Sequence, residues 1–164
     1  MEKKYILTDD VIDFNSHTLH RIKAVRDFDC VKAGDLGGFI ESEKNLDHDG
    51  AAWVTGDAVV TGAAVVTDSA RVSGAAVVSD SARVSGAARV SGAADFAVIS
   101  GFGRVFRTTT FFRCKDNLVR CQCGCFYGTV DEFRAKVRET HGNSKYAKEY
   151  LMIADLMELH FKED

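Results

Sequence analysis

Apolar residues recur every six positions through the middle of the chain. Val54, Val60, Val66, Val72, Val78, Val84 and Val90 mark one position of the repeat, and Phe96 and Phe102 continue its register. An alanine follows four residues after each of these valines, and Gly or Asp stands two residues after each, as in Gly56, Gly62 and Asp68. A helix would scatter this pattern around its circumference. A short strand followed by a corner accommodates it: the valine points inward, its neighbours point outward, and Gly or Asp takes the turn. The small alanine lets each corner close.

The flanks follow other periods. Residues 1–33 read as an N-terminal β cap, with strand-like runs at Tyr5–Thr8 and Val11–Phe14, a turn at Asn15-Ser16 and a return strand from Thr18 to Val25. Residues 34–51 read as an irregular first coil in which His48 falls on a valine-equivalent position, and residues 52–106 carry the regular hexads. From 108 to 164 a strand and two helices are predicted. Thr129 and Glu132 form a capping-box signature for the first helix, and Asn143 or Ser144 caps a longer one that runs to about Phe161.

The unit Val-Thr/Ser-Gly/Asp-x-Ala-x resembles the hexapeptide repeat of left-handed parallel β-helices. The departure is Thr or Ser after the valine, where that family more often has Gly, Ala, Glu or Asp. The resemblance implies a mainly β chain: a left-handed parallel β-helix over 34–107, eighteen residues per coil, between the β cap and a C-terminal α-helical cap.

Eighteen residues per coil sorts the outward positions into three faces. One carries Trp53, Arg71, Arg89 and, if the register persists, Arg107. Stacked guanidinium groups repel, so this column is read as a surface for an acidic partner or a bound anion, with Trp53 as a stacking platform. A second face carries Val59 and Val77 flanked by Thr61 and Ser79, and Val65 lies on the third. These five are read as an oligomer interface. The resemblance to hexapeptide-repeat proteins implies a homotrimer.

Bulk composition narrows the classes. The chain has 164 residues, 46% hydrophobic, and a net charge of −3, which exerts no general pull toward duplex nucleic acid or anionic membrane. No apolar run reaches the ~18 residues of a membrane span. The first residues show no apolar signal core, and five cysteines without an export signal suggest reduced thiols in the cytoplasm. Cys121, Cys123 and Cys125 alternate on one strand and, with His141, are weak zinc candidates, although C-x-C-x-C lacks the two-residue loop of zinc knuckles. The expected reading is core thiols, with no metal and no cofactor.

Hexapeptide-repeat relatives include acyltransferases that use acyl-CoA and a histidine base, so the resemblance makes an enzyme the first alternative. Residues 52–106 contain no histidine and no inserted loop, which argues against it. A structural virion component is a second alternative, although three to four coils rise only ~15–20 Å. The stretches KKYILTDD, GDLGGFIESEKNLDHDGAAWV, CGCFYGTVDEFRAKVRETHG and KYAKEYLMIADLMELHF resemble small β-helical proteins encoded by bacteriophages and prophages. That resemblance implies origin and architecture rather than mechanism, and a compact phage oligomer without catalytic residues in the cytoplasm of a bacterial host is expected to be an accessory protein. Its expected role is non-catalytic and anti-defensive: binding a host protein, or a nucleotide-like anion held by the arginine column.

Overall fold

Each hexad lays down a strand of two residues. In a computed structural model, which describes residues 2–163, the chain is mainly β, with short parallel strands and two C-terminal helices. The strands are β1 (Tyr5–Phe14), β2 (His17–Ala24), β3 (Leu36–Ile40), β4 (Trp53–Val54), β5 (Val59–Val60), β6 (Val65–Val66), β7 (Arg71–Val72), β8 (Val77–Val78), β9 (Arg83–Val84) and β10 (Arg89–Val90). Then follow β11 (Phe96–Phe102), β12 (Arg107–Arg113), β13 (Val119–Cys123) and β14 (Phe126–Thr129), and the helices α1 (Val130–His141) and α2 (Lys145–His160). The chain forms two compact units that meet in sequence between Ala93 and Ala94.

In the first unit, parallel strands pair at a regular offset of eighteen residues. Trp53 pairs with Arg71 and Arg71 with Arg89, Val59 pairs with Val77, and Val65 with Arg83. The ladder bonds run between coils, as in Thr55 N–H to the Val72 carbonyl at 2.9 Å and Ser73 N–H to Val90 at 2.8 Å. The repeat valines from Val54 to Val84 have no exposure, and neither do the repeat alanines from Ala52 to Ala88. The corners lie in the left-handed region. Asp68 and Asp80, both at φ 60°, occupy it without being glycine, and Asp68 makes use of its side chain: its carboxylate accepts the Gly86 N–H of the next coil at 2.9 Å. The antiparallel β1–β2 hairpin and β3 extend one of these sheets, in the order β1-β2-β3-β5-β8.

Two sequence expectations are corrected at the ends of the repeat. Ile40 pairs with Val60 and Leu46 bridges to Val66, offsets of twenty rather than eighteen. The first coil therefore carries two extra residues, and Leu46, wholly buried, takes the inward place expected for His48. At the other end the parallel register stops at Val90. Phe96 and Phe102 lie on β11, which runs antiparallel to β12, with Phe96 opposite Phe112 and Phe102 opposite Arg107. The spacing of valine and alanine is lost at Asp95. The run Phe96-Ala97-Val98-Ile99 then suits a long hairpin strand better than a two-residue rung.

The second unit is an antiparallel sheet in the order β11-β12-β13-β14, followed by α1 and α2. Both helices predicted from their caps are present. The Thr129 hydroxyl accepts the Glu132 N–H, the Glu132 carboxylate accepts the Thr129 N–H at 2.7 Å, and Ser144 caps α2. Phe111 and Cys121 from the sheet meet Phe133, Val137, Tyr150 and Met157 from the helices in one core. Arg134 ties the helices together through Asp155 at 2.9 Å and Glu158 at 2.6 Å. No helix among the described residues is long and apolar enough to cross a membrane.

Candidate anion-binding cleft

The expected Trp-Arg column is real as a register but is already occupied by the chain itself. Trp53 pairs with Arg71 and Arg71 with Arg89 on one sheet. Trp53 is only 3% exposed: Phe28 meets its ring edge-on at 5.3 Å and Tyr5 lies at 6.3 Å. It therefore cannot serve as a stacking platform. Arg71 binds the Asp29 carboxylate, and Arg89 donates to the Ser69 and Ala88 carbonyls at 2.9 Å. These contacts answer the repulsion between stacked guanidinium groups from within the chain. Arg107 lies elsewhere, on antiparallel β12.

The expected oligomer face is likewise partly covered. Val59 packs against Leu19 and Phe39 and is 4% exposed, and Thr61 is buried with its hydroxyl on Glu41 at 2.8 Å. The N-terminal hairpin, whose apolar side needs a surface, has taken the first rung. Val77 is exposed, while Val65 and Ser79 are half-buried. Hydrogen bonds from Gly62 N–H, His17 and Thr61 lower the Glu41 carboxyl to about 2.

Around Trp53 lies a charged cluster that sequence reasoning did not find. Lys4 has no exposure; its ammonium reaches the Asp49 carbonyl at 3.3 Å and sits 5.2 Å over the Phe28 ring. The Lys4 backbone N–H points at His48 Nδ1, so the histidine proton sits on Nε2, toward Glu43 at 3.6 Å, while the ring stacks on Tyr5 at 4.3 Å. Burial lowers the Lys4 amine from 10.5 to about 8, with the Asp47 charge opposing the shift. A lowered amine pKa means that the folded state releases a proton the unfolded chain still holds between pH 8 and 10.5. Stability from this group therefore rises with pH across that window, and its cost is complete below it. Relative to Lys4→Met, the wild-type protein is expected to gain about 2–3 kcal/mol of stability between pH 7 and pH 10. The gap between the two urea-denaturation curves should shift by that amount. A gap equal at both pH values would show that the amine carries no such cost.

The cysteines do not converge. Cys121 is wholly buried in the apolar core of the second unit, where burial pushes its thiol far up from 9.0. Cys123 is half-buried and accepts the Thr109 hydroxyl at 3.1 Å, and Cys125 is exposed at the β13–β14 turn. Among the described residues no three His, Cys, Asp or Glu side chains stand together to hold a metal ion. The candidacy of Cys121, Cys123, Cys125 and His141 fails on this geometry: Cys121 and Cys123 share the core-facing side of β13, while Cys125 lies beyond the strand in an exposed turn.

What the second unit does form is a cleft of about 350 Å³. One wall comes from the β11–β12 loop and β12, through Arg104 and Arg107. The other comes from one face of α1, where Phe133, Lys136, Val137, Thr140 and His141 follow helical spacing. Phe126, Phe133 and Tyr150 supply aromatic surface, and Cys123 and Cys125 complete the rim. The lining holds Arg104, Arg107 and Lys136 and no carboxylate, and Lys136 also reaches the Glu139 carboxylate at 3.4 Å. Tyr150 is buried, its hydroxyl donates to the Phe102 carbonyl at 3.4 Å, and burial pushes its pKa up to about 12. Glu149, next to Tyr150, accepts the Gly103 N–H at 2.9 Å and so holds the loop that carries Arg104.

Gly124 sets the position of Arg107. A Cβ at this residue, which has φ +59°, would stand 1.8 Å from an Arg107 guanidinium nitrogen, so the arginine lies directly across the glycine. Of the cleft residues, the sequence marks Arg107 for binding, His141, Cys123 and Cys125 as weak metal candidates, and Tyr150 only as an apolar position of the second helix. Arg104 and Lys136 carry no such mark, although the helical spacing of Phe133, Lys136, Val137 and Thr140 is a usable signal. No known family model matches the chain, and no curated protein is significantly similar to it.

Proposed function

We propose that this is a non-catalytic accessory protein of the bacteriophage type that binds a planar, anionic small molecule of nucleotide character in the cleft of its second unit. The observation that carries the reading is the lining: Arg104, Arg107 and Lys136 without a carboxylate, beside Phe126, Phe133 and Tyr150. Guanidinium groups take phosphate oxygens in forked hydrogen bonds, and aromatic side chains receive a base. The volume lies in the range of small-molecule sites. In this reading the first unit is a left-handed β-helix, a reading supported by its eighteen-residue offsets and its interior of valine and alanine. It acts as a rigid carrier, and the protein works in the cytoplasm of a bacterial host by sequestering a nucleotide signal of host defence. The resemblance of its flanking stretches to phage and prophage β-helical proteins supports that setting.

Calorimetric titration with adenosine monophosphate, adenosine and inorganic phosphate tests the reading. The nucleotide is expected to bind more tightly than either fragment. Replacing Arg107 and Lys136 together by Ala should weaken it by about 10- to 100-fold. Absence of nucleotide binding, or equal binding by the double variant, would overturn the assignment.

A further inference from the structure

Helix α2 has two apolar faces, and the chain uses one. Tyr150, Ile153, Ala154 and Met157 are buried in the core. On the opposite side Met152, Leu156 and Leu159 stand at i, i+4 and i+7 and are 72%, 53% and 70% exposed. Three large apolar side chains in one line on a solvated helix are more than scattered surface residues.

The charges on α2 suggest what covers this line. α1 follows its dipole, with Asp131 and Glu132 in the first turn and Arg138 and His141 in the last. α2 has no acid in its first turn and begins with Lys145, followed by exposed Lys148. Its later half carries Asp155 and Glu158, and Glu163 follows just beyond its end. Asp155 and Glu158 are engaged by Arg134 on the flank, whereas Glu163 is 76% exposed in its 3.8 Å contact with Arg113. Exposed Lys148 near the start of α2 and exposed Glu163 beyond its end, which has Lys162 beside it, come together when the helix is turned end for end. An antiparallel pairing that sets Met152 opposite Leu159 of a second copy brings Lys148 opposite Glu163, while Glu149 stays on the Gly103 N–H of its own chain. A parallel pairing would instead set like charges side by side.

We infer that α2 is a self-association surface and that its partner is a second copy of this chain, joined in an antiparallel, two-fold helix pair around Leu156. The surface is smaller than a standard interface, so the dimer is a weak one, with a dissociation constant on the order of 10–100 μM. The pairing is closed at two chains, unlike the homotrimer suggested by the repeat.

Sedimentation equilibrium and light scattering over about 10–500 μM protein test it. The wild-type mass is expected to move from one chain to two. Leu156→Glu should weaken association at least tenfold while leaving helical ellipticity intact. Lys148→Glu and Glu163→Lys should each weaken it alone, and an equimolar mixture of the two should restore the two-chain mass, because each reversed charge then meets its opposite. A wild-type protein monomeric throughout, a three-chain mass, a dimer that survives Leu156→Glu, or a mixture no stronger than its components would each overturn the inference.

Discussion

Replacing Phe133 by Ala is expected to destabilise the second unit by about 3–5 kcal/mol, the range for removing a large buried aromatic side chain. Phe133 is 3% exposed and stands at the centre of three ring contacts: Phe111 at 5.7 Å, Phe126 at 5.8 Å and Tyr150 at 5.6 Å. Its contacts with Phe111 and Tyr150 are edge-on, which adds a directional term to the area buried. The ring joins β12 and β14 to both helices, so the hole left by alanine opens where all these elements meet and where no single side chain can collapse to fill it. Urea denaturation followed by far-ultraviolet helical ellipticity reads this unit, because both α-helices belong to it. Phe133→Leu should lose less, since it keeps most of the volume. Because Phe133 also lines the cleft, its loss should weaken nucleotide binding together with stability. A midpoint unchanged in Phe133→Ala would show that the aromatic cluster does not hold α1 in place.

Asn45→Ala is expected to cost the first unit about 2–4 kcal/mol. Asn45 has no exposure, and its amide answers three backbone groups. Its oxygen accepts the Ser42 N–H at 2.8 Å, and its nitrogen donates to the Gly62 carbonyl at 3.0 Å and the Ala64 carbonyl at 2.9 Å. Alanine would leave all three without that partner in a buried corner. Asn45→Asp should be at least as damaging, because it turns the donor into a second acceptor aimed at two carbonyl oxygens. Trp53, the single tryptophan, is buried in the same unit, so its fluorescence follows the transition. A shift below about 0.5 kcal/mol in Asn45→Ala would mean that water replaces the side chain without loss.

These two residues also mark the limit of what could be read in advance. The valine and alanine repeat announces short strands and their inward positions because its period is local: each hexad repeats the same instruction. The two helices were legible for the same reason, since a capping box joins residues three apart. Asn45 was not legible, because its partners Gly62 and Ala64 are a coil away, and nothing around Asn45 marks a two-residue excess between Leu46 and Val54. The end of the parallel register was missed because Phe96 and Phe102 keep the six-residue spacing by coincidence while their backbone pairs with β12.

The candidate site divides in the same way. The sequence alone determined that residues 52–90 form short strands with valine and alanine inside, that the arginines of the repeat point outward, and that the chain ends in two helices. Those properties depend on neighbours within a few residues, where covalent geometry leaves few choices. Only the tertiary structure decided which outward residues are free to act. Phe28 and Tyr5 close over Trp53, Asp29 takes Arg71, and the N-terminal hairpin covers Val59. Arg104, Arg107 and Lys136, far apart along the chain, line one cleft whose lining holds no carboxylate, although Lys136 also reaches Glu139 on its own helix at 3.4 Å. Whether a charge is neutralised or a ring is covered depends on contacts over tens of residues, and no local period records them.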